Sequence, residues 1–189
     1  MLYNLTTYFP EEAQRIGRMV AGYSELEFGL FACIDSAHDD YDALFKAMFR
    51  TRGETQRLDV ADAIGRYKFH ALGLGTEFEM TLGGLRRCLT IRNQFAHSHW
   101  ISTETSFAFI DMEENAKKSS LLTPKNTNFT LRYLSKELVK QQEEFFDYVN
   151  EMLIWTQAQA AHKKGVESGI LGLPDKPKQL ETPPLYIPQ

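Results

Sequence analysis

The chain is poor in cysteine, has no long apolar run and has a small net charge, and each of these shortages excludes a class of protein. Its two cysteines among 189 residues, Cys33 and Cys88, lie inside helical patterns rather than in a paired framework. We predict reduced core thiols, with a disulfide as the minor alternative. No uncharged apolar segment is long enough to span a bilayer. The opening residues lack the basic-then-apolar layout of a signal peptide, so we expect a cytoplasmic protein.

The formal net charge of −4 argues against a protein that binds polyanions over its whole surface. The charge is unevenly spread along the chain. Between Lys46 and His97 there are nine Lys or Arg and five Asp or Glu residues, so this segment is +4 and the remainder is −8. The basic segment suits a local anionic ligand. Chance clustering on solvated helix faces explains the same charge equally well.

The sequence contains no glycine-rich loop of the kind that binds phosphate. Gly83 and Gly84 fall within a helical pattern, where small residues permit close helix packing. His97 and His99 are two residues apart, but no cysteine or acid cluster accompanies them. We therefore predict neither a cofactor nor a metal ion.

Apolar residues recur at three- and four-residue steps over most of the chain, which predicts an all-α fold. Tyr41, Leu44, Phe45 and Met48 are predicted to point inward from the second helix. The third helix is predicted to bury Leu58, Ala61, Ile64 and one of Tyr67 and Phe69. The predicted helices span residues 10–37, 40–49, 54–71, 76–97 and 136–162.

Two short aromatic-rich segments, 106–111 and 128–133, are predicted strands of a small hairpin, with a polar, mobile tip between them. After Gly165 the composition turns to glycine and proline, which favours an extended arm without its own core. We predict a four- to five-helix up-and-down bundle with a small β-hairpin insertion before the last helix. Residues 1–164 form the predicted helical domain, and residues 165–189 form the Pro-rich extended tail.

Two charged residues interrupt otherwise apolar helix stripes. Continuing the stripe Phe78, Leu82, Leu85, Leu89 by the same steps places Arg92 where another leucine is expected, and Glu27 breaks the stripe of the first helix. A buried charge without a partner is costly. We therefore hypothesise a Glu27–Arg92 ion pair, which resolves both interruptions.

The segment Arg92-Asn93-Gln94-Phe95-Ala96-His97, at the end of a long helix in an all-helical chain, resembles the HEPN superfamily motif. That motif is an arginine, then a polar residue, then a histidine after four to six intervening positions. Arg92, Asn93 and His97 match it with four residues between arginine and histidine. Glu27 resembles the acidic residue that many members carry in their first helix. The similarity in helical architecture covers residues 10–162.

The resemblance implies a metal-independent endoribonuclease that forms a 2′,3′-cyclic phosphate and a 5′-hydroxyl. The residue types suit this chemistry, because histidine titrates near neutral pH and arginine binds phosphate oxygens while keeping its charge. Asn93 lies one helical turn before His97 and can orient the imidazole. The resemblance further implies RNA as partner, a homodimer, and a bacterial or phage defence or toxin–antitoxin setting with an antitoxin or other neighbouring-gene protein.

Helical geometry separates the two main residues of the motif. Five steps of about 100° place Arg92 and His97 about 140° apart around the axis. Either the helix breaks before His97, or a second chain completes the site. The resemblance favours the second alternative, because such proteins typically dimerise with their motifs facing each other.

The same residues also allow interpretations without catalysis. Arg92 can simply bridge helices through Glu27, with His97 a C-terminal capping residue favoured by the helix dipole. The chain can also be a noncatalytic HEPN-like module that binds nucleic acid or protein, or a plain structural bundle. Arg86, Arg87, His99 and Trp100 are predicted further substrate contacts, although a core or hinge role suits Trp100 better.

Overall fold

The computed structural model describes residues 5–118, 129–165 and 172–187. The described residues form seven helices and one three-stranded antiparallel sheet in the order β1-β2-β3. None of these helices is both long enough and apolar enough to cross a membrane. The elements are α1 (Leu5–Tyr8), α2 (Pro10–Ala37), α3 (Tyr41–Phe49), α4 (Glu54–Ala71), α5 (Gly75–His97), β1 (Ser98–Ser102), β2 (Phe107–Asp111), α6 (Met112–Lys118), β3 (Arg132–Leu134) and α7 (Lys136–Lys164).

The predicted helical fold with a small β insertion before the last helix is confirmed. All five predicted helices are present with bounds within two residues of the prediction, and α1 is an additional short helix. The boundaries were predictable because their stop and start signals are local. Asp40 caps α3 by accepting from the Ala43 amide, and Ser135 caps α7 by accepting from the Leu138 amide at 3.0 Å.

Gly73 ends α4 in the left-handed conformation, with φ of +68°. The Leu74 amide donates to the Phe69 carbonyl at 2.8 Å, which is the bond that closes a Schellman turn. A residue with a Cβ adopts this conformation only with strain. The predicted glycine stop is therefore confirmed, and it sets where the motif-bearing helix α5 begins.

The chain divides into two compact units. Unit 1 comprises residues 1–21, 90–144 and 183–189, and unit 2 comprises residues 22–89 and 145–182. Helices α2, α5 and α7 contribute residues to both units. The predicted domain boundary between residues 164 and 165 stays a prediction.

Unit 2 is a helical core assembled from parts of α2, α5 and α7 together with α3 and α4. Phe69 of α4 stacks on Phe78 of α5 with ring centroids 4.4 Å apart. Gly84 of α5 lies against Val149 of α7, where an added Cβ would come within 2.7 Å of a valine methyl. The predicted close packing at the glycine pair is therefore confirmed for Gly84, whereas nothing lies within 4 Å of a Cβ at Gly83.

Two aromatic rings that the helical pattern assigned to the core, Tyr41 and Phe45, are exposed. Leu44 and Met48 of α3 are buried as predicted, but Tyr41 and Phe45 on the same helix are 56% and 42% exposed. On α4 it is Phe69 that is buried, and Tyr67 is 78% exposed. The inward prediction for Tyr41 and Phe45 was wrong because a nine-residue helix buries only a narrow stripe, and aromatic rings widened the apparent stripe.

Unit 1 contains the β sheet, and here the prediction of a two-stranded hairpin was incomplete. The predicted first strand is β2, and the described part of the predicted second strand overlaps β3. A further strand, β1, follows α5 without a break and pairs with β2, Trp100 lying opposite Phe109. Its sequence, Ser-His-Trp-Ile-Ser, does not alternate apolar and polar residues, so the pattern gave no strand signal.

The first residues of the segment predicted to be a mobile tip form a helix, α6. Asp111 ends β2, and its side chain accepts from the Glu114 amide at 2.9 Å, which starts α6. Arg132 of β3 forms an ion pair with Glu114, which ties α6 to the sheet. The rest of the predicted tip, residues 119–128, lies outside the described residues.

The C-terminal tail has no helix or strand over residues 172–187. In unit 1 the Gln142 amide donates to the carbonyls of Pro184 at 2.7 Å and Leu185 at 3.2 Å. The Ile187 amide donates to the Tyr133 carbonyl of β3 at 2.9 Å. Residues 184–187 are thus held by their backbone groups.

Candidate functional site

The motif occupies the last two turns of α5, where the buried face of the helix changes. Phe78, Leu82, Leu85 and Leu89 are all buried, as the stripe predicts. In the last turns the buried positions are instead Ile91, at 0% exposed, and Phe95, at 4%. Arg92 lies beside this new face and is half-buried. The arginine therefore occupies the edge of the apolar face rather than its centre.

Arg92 and Asn93 contact each other directly. The Arg92 Nη1 donates to the Asn93 Oδ1 at 2.9 Å, and both side chains are half-buried. Successive helix residues point about 100° apart, so this bond draws the two side chains together. A guanidinium has five N–H donors in all, and this bond uses one of them.

His97 is the last residue of α5, and its side chain is exposed. Within the described part of the chain, the imidazole forms no hydrogen bond or ion pair, and Asn93 does not bond to it. The helix continues unbroken from Arg92 to His97. The alternative in which the helix breaks before His97 is therefore wrong, and the two residues diverge by about 140° around one axis.

The remaining residues of the motif hold the helix end in unit 1. The Trp100 indole Nε1 donates to the Phe95 carbonyl at 3.3 Å, and its ring stacks on Phe95 with centroids 5.6 Å apart. Trp100 also packs on Phe109, at 5.7 Å. The Gln94 amide donates to the Leu185 carbonyl at 2.9 Å. Trp100 thus packs at the junction of α5 and β1, and its predicted contact with a base stays a prediction.

Glu27 is buried, with 7% of its surface exposed, as its place on the α2 stripe predicted. The Arg57 Nη1 of α4 donates to the Glu27 Oε2 at 2.7 Å, and the Arg57 Nε donates to the Thr51 carbonyl at 3.1 Å. The sequence reasoning missed this partner. The available signal was that Arg57 directly precedes Leu58, at the edge of the apolar face of α4. The Glu27–Arg92 pair joins residues of different units, and it stays a prediction.

The other predicted substrate contacts differ in their surroundings. In unit 2, the Arg86 Nη2 lies 2.9 Å from the Asp59 Oδ1 and 3.5 Å from the Asp62 Oδ2. Arg87 is half-buried, and this burial lowers the pKa of its guanidinium. In unit 1, His99 is exposed on β1 opposite Ile110. Unit 1 therefore contains Arg92, Asn93, His97, His99 and Trp100, whereas unit 2 contains Glu27, Arg86 and Arg87.

Residues 5–118, 129–165 and 172–187 include no group of three or more His, Cys, Asp or Glu side chains arranged to hold a metal ion. Cys33 and Cys88 are buried free thiols, and burial raises the pKa of each well above its ordinary value. A protonated, buried thiol is a poor nucleophile.

No protein-family model, curated protein or solved structure matches the chain.

Proposed function

We propose that the chain is a HEPN-type, metal-independent endoribonuclease of the cytoplasm, with Arg92 and His97 as catalytic residues and Asn93 as a positioning residue. The observation that supports this best is the end of α5. An exposed histidine, which has no hydrogen-bond or ion-pair partner among the described residues, lies one turn beyond an Arg92–Asn93 pair that is already ordered by a 2.9 Å hydrogen bond. Such an imidazole is accessible to a substrate and able to exchange a proton with it.

The proposed reaction is a transfer of phosphorus from one ribose oxygen to another. The neutral His97 imidazole takes the proton of a 2′-hydroxyl, whose oxygen attacks the adjacent phosphorus. The bond from phosphorus to the 5′-oxygen breaks, and that oxygen takes a proton from an imidazolium or from water. Arg92 binds the phosphate oxygens and stabilises the charge that develops on them. The products are a 2′,3′-cyclic phosphate and a 5′-hydroxyl.

The divergence of Arg92 and His97 favours a site made by two chains. On one unbroken helix the backbone positions of Arg92 and His97 point about 140° apart, which favours a site that combines groups from two chains over one built on a single helix face. A second copy can supply the missing residue across a two-fold axis. Pairing two copies also brings two arginines to one cleft, which suits an anionic substrate in a chain of negative net charge.

The primary test is RNA cleavage in EDTA by the full chain and by His97→Gln. We expect cleavage by the wild type and its loss in the variant, with products ending in a cyclic phosphate. His162→Gln is the matched control, because His162 is an exposed histidine on α7 outside the motif. Equal cleavage by all three proteins, or cleavage that requires a divalent metal, would contradict the proposal.

A mixing experiment tests the composite site. Arg92→Ala and His97→Ala chains are each expected to be inactive alone. In a randomly exchanged mixture about half of the dimers contain both variants, and each of these keeps one intact pair of Arg92 and His97. We expect about a quarter of wild-type activity from the mixture. A mixture as inactive as its parts would refute a site shared between chains.

A second function is favoured by one observation. The Asn93 oxygen is taken by Arg92, and within the described residues no side chain orients the His97 imidazole. A catalytic base usually has such an orienting group. The alternative is a noncatalytic module that binds RNA or a protein through the same surface. The noncatalytic alternative would be supported if the wild type binds RNA without cleaving it and Arg92→Ala weakens that binding.

The biological setting is also part of the proposal. The resemblance favours a defence system or a toxin–antitoxin pair, in which a neighbouring-gene protein restrains the nuclease. Co-expression with the product of the adjacent gene tests this. We expect co-purification and loss of RNA cleavage, and the absence of any complex would contradict the pairing.

A further inference from the structure

An aromatic face lies on α2 and α3 within unit 2. Phe28, Tyr41 and Phe45 are 57%, 56% and 42% exposed. Single exposed apolar residues are common, but three neighbouring aromatic rings are not. We call Phe28, Tyr41 and Phe45 the aromatic face.

The three rings of the aromatic face pack against one buried ring, Phe31. Phe31 is 2% exposed, and its ring centroid lies 5.9 Å from that of Phe28, 5.2 Å from Tyr41 and 5.6 Å from Phe45. Tyr41 and Phe45 stack on each other with their planes only 6° apart. A partner would therefore meet rings whose conformational freedom is already lost, which lowers the entropic cost of binding.

The size of the face suits the centre of an interface. An aromatic side chain buries roughly 150–250 Å² when covered, so the exposed parts of these three rings offer about 300 Å². A stable interface covers about 800 Å² on each partner, with an apolar centre and a polar rim. The aromatic face would supply that centre and α3 the rim.

The charges along α3 are segregated towards its two ends. Asp40 and Asp42 are exposed at the start of the helix. Lys46, in the last turn, forms an ion pair with Asp42 of its own helix, whereas Arg50 and Arg52 are exposed just after the helix. A face with Asp40 at one end and Arg50 and Arg52 at the other is complementary to a copy of itself turned by 180°.

We propose that the aromatic face is an interaction surface for a second copy of this chain, with the two α3 helices antiparallel across a two-fold axis. Each acidic end would then meet the basic end of the other copy, and Tyr41 and Phe45 would pack at the centre. Single-stranded RNA would be attracted by the cations at one end of α3 and repelled by the acids at the other, so it fits the whole surface less well than a second copy does. The inference rests on the proposed function for its expectation of a dimer, but the surface is identified from unit 2 alone.

The test is the association constant of the full chain, measured without RNA by sedimentation equilibrium. We expect a wild-type dimer and, in Phe45→Ser, association weakened roughly tenfold or more. Tyr67→Ser is the matched control, because Tyr67 is a 78% exposed ring on α4 outside the aromatic face. It should associate like the wild type. Circular dichroism checks that each variant is folded.

Exchanging charges between the two ends of α3 tests the proposed orientation, because a purely structural role of these residues would not predict recovered association in the double variant. Asp42→Arg reverses one charge at the acidic end of α3, and Arg50→Asp reverses one charge at the basic end, so each should weaken association. The double variant exchanges these two charges between the ends and should recover part of the association. The same weakening in the double variant as in the single ones would overturn the proposed orientation.

Failure of this inference is distinguishable from failure of the ribonuclease proposal. If Phe45→Ser remains a dimer and cleaves RNA, the surface assignment is overturned and the nuclease stands. If the wild type is a dimer that Phe45→Ser disrupts and it cleaves nothing, the surface stands alone. If the wild type is a monomer, the proposed dimer interface is overturned. If that monomer binds RNA and Tyr41→Ser abolishes the binding, the aromatic face would instead be an RNA-binding surface.

Discussion

Replacing Gly84 by alanine should destabilise the fold, whereas the same change at the adjacent Gly83 should stabilise it. Both glycines lie within α5, so both substitutions gain the same intrinsic helix propensity, about 1 kcal/mol. They differ in what the new methyl meets. At Gly84 it would lie 2.7 Å from the Val149 Cγ2, and at Gly83 nothing lies within 4 Å.

The magnitude follows from the packing at Val149. This residue is 1% exposed and belongs to α7, where a β-branched side chain strongly prefers one χ1 rotamer. Val149 cannot adopt another rotamer without strain, so overpacking by the added methyl should lower the stability by about 2 kcal/mol. Subtracting the propensity gain leaves Gly84→Ala destabilised by about 1 kcal/mol. Gly83→Ala should gain about 1 kcal/mol, so the two variants should differ by about 2 kcal/mol.

The assay is urea denaturation followed by circular dichroism, from which the free energy of unfolding is extrapolated for the wild type and both variants. An unchanged slope with denaturant would indicate that only stability has changed. Equal stabilisation of both variants, within about 0.5 kcal/mol, would refute the reasoning, because it would mean that α5 and α7 do not approach closely at Gly84.

Three further predictions concern pH, thiol reactivity and the tail. The hydrogen bond from Lys176 lowers the pKa of Glu77, so the pair should stabilise the fold above the pKa that this carboxyl has in the unfolded chain. That contribution should disappear as the pH falls through the lowered folded pKa, and Lys176→Met should flatten the acid limb of a stability–pH curve. Cys33 and Cys88 should not react with a thiol reagent at pH 8 until the chain unfolds, and rapid labelling of the native protein would contradict their burial. Gln142→Leu removes the donor to two tail carbonyls and should cost about 1–3 kcal/mol. Limited proteolysis should then release the C-terminal segment faster, and unchanged resistance would count against these bonds.

The helices were predictable because their signals are local. Gly73 and Ser135 are short-range stop and start signals, and the three/four spacing of apolar residues needs only neighbouring positions to be recognised. Strand β1 was not predictable in this way. Its pairing depends on β2, a partner that lies beyond a turn, and its own sequence has no strand period.

The same distinction between local signals and long-range contacts applies to the candidate site. The order of Arg92, Asn93 and His97, on a long helix of a helical chain, suggested the candidate motif, and the helix that bears them follows from the stripe before them. The sequence did not reveal that Arg92 bonds to Asn93, that Trp100 holds the helix end, or that Glu27 is met by Arg57. Each of these depends on the rotamer or the distance of a particular side chain.

The sequence by itself therefore determined the helical class, most of the element boundaries and the positions of the motif residues. These depend on periodicity and capping, which act over a few residues. Only the tertiary structure decided which apolar rings are exposed, which cation meets Glu27 and how the tail is held. Such features depend on which elements meet and at what distance, and a periodic pattern does not record that information. For this reason Tyr41 and Phe45 have the spacing of core residues and yet lie at the surface.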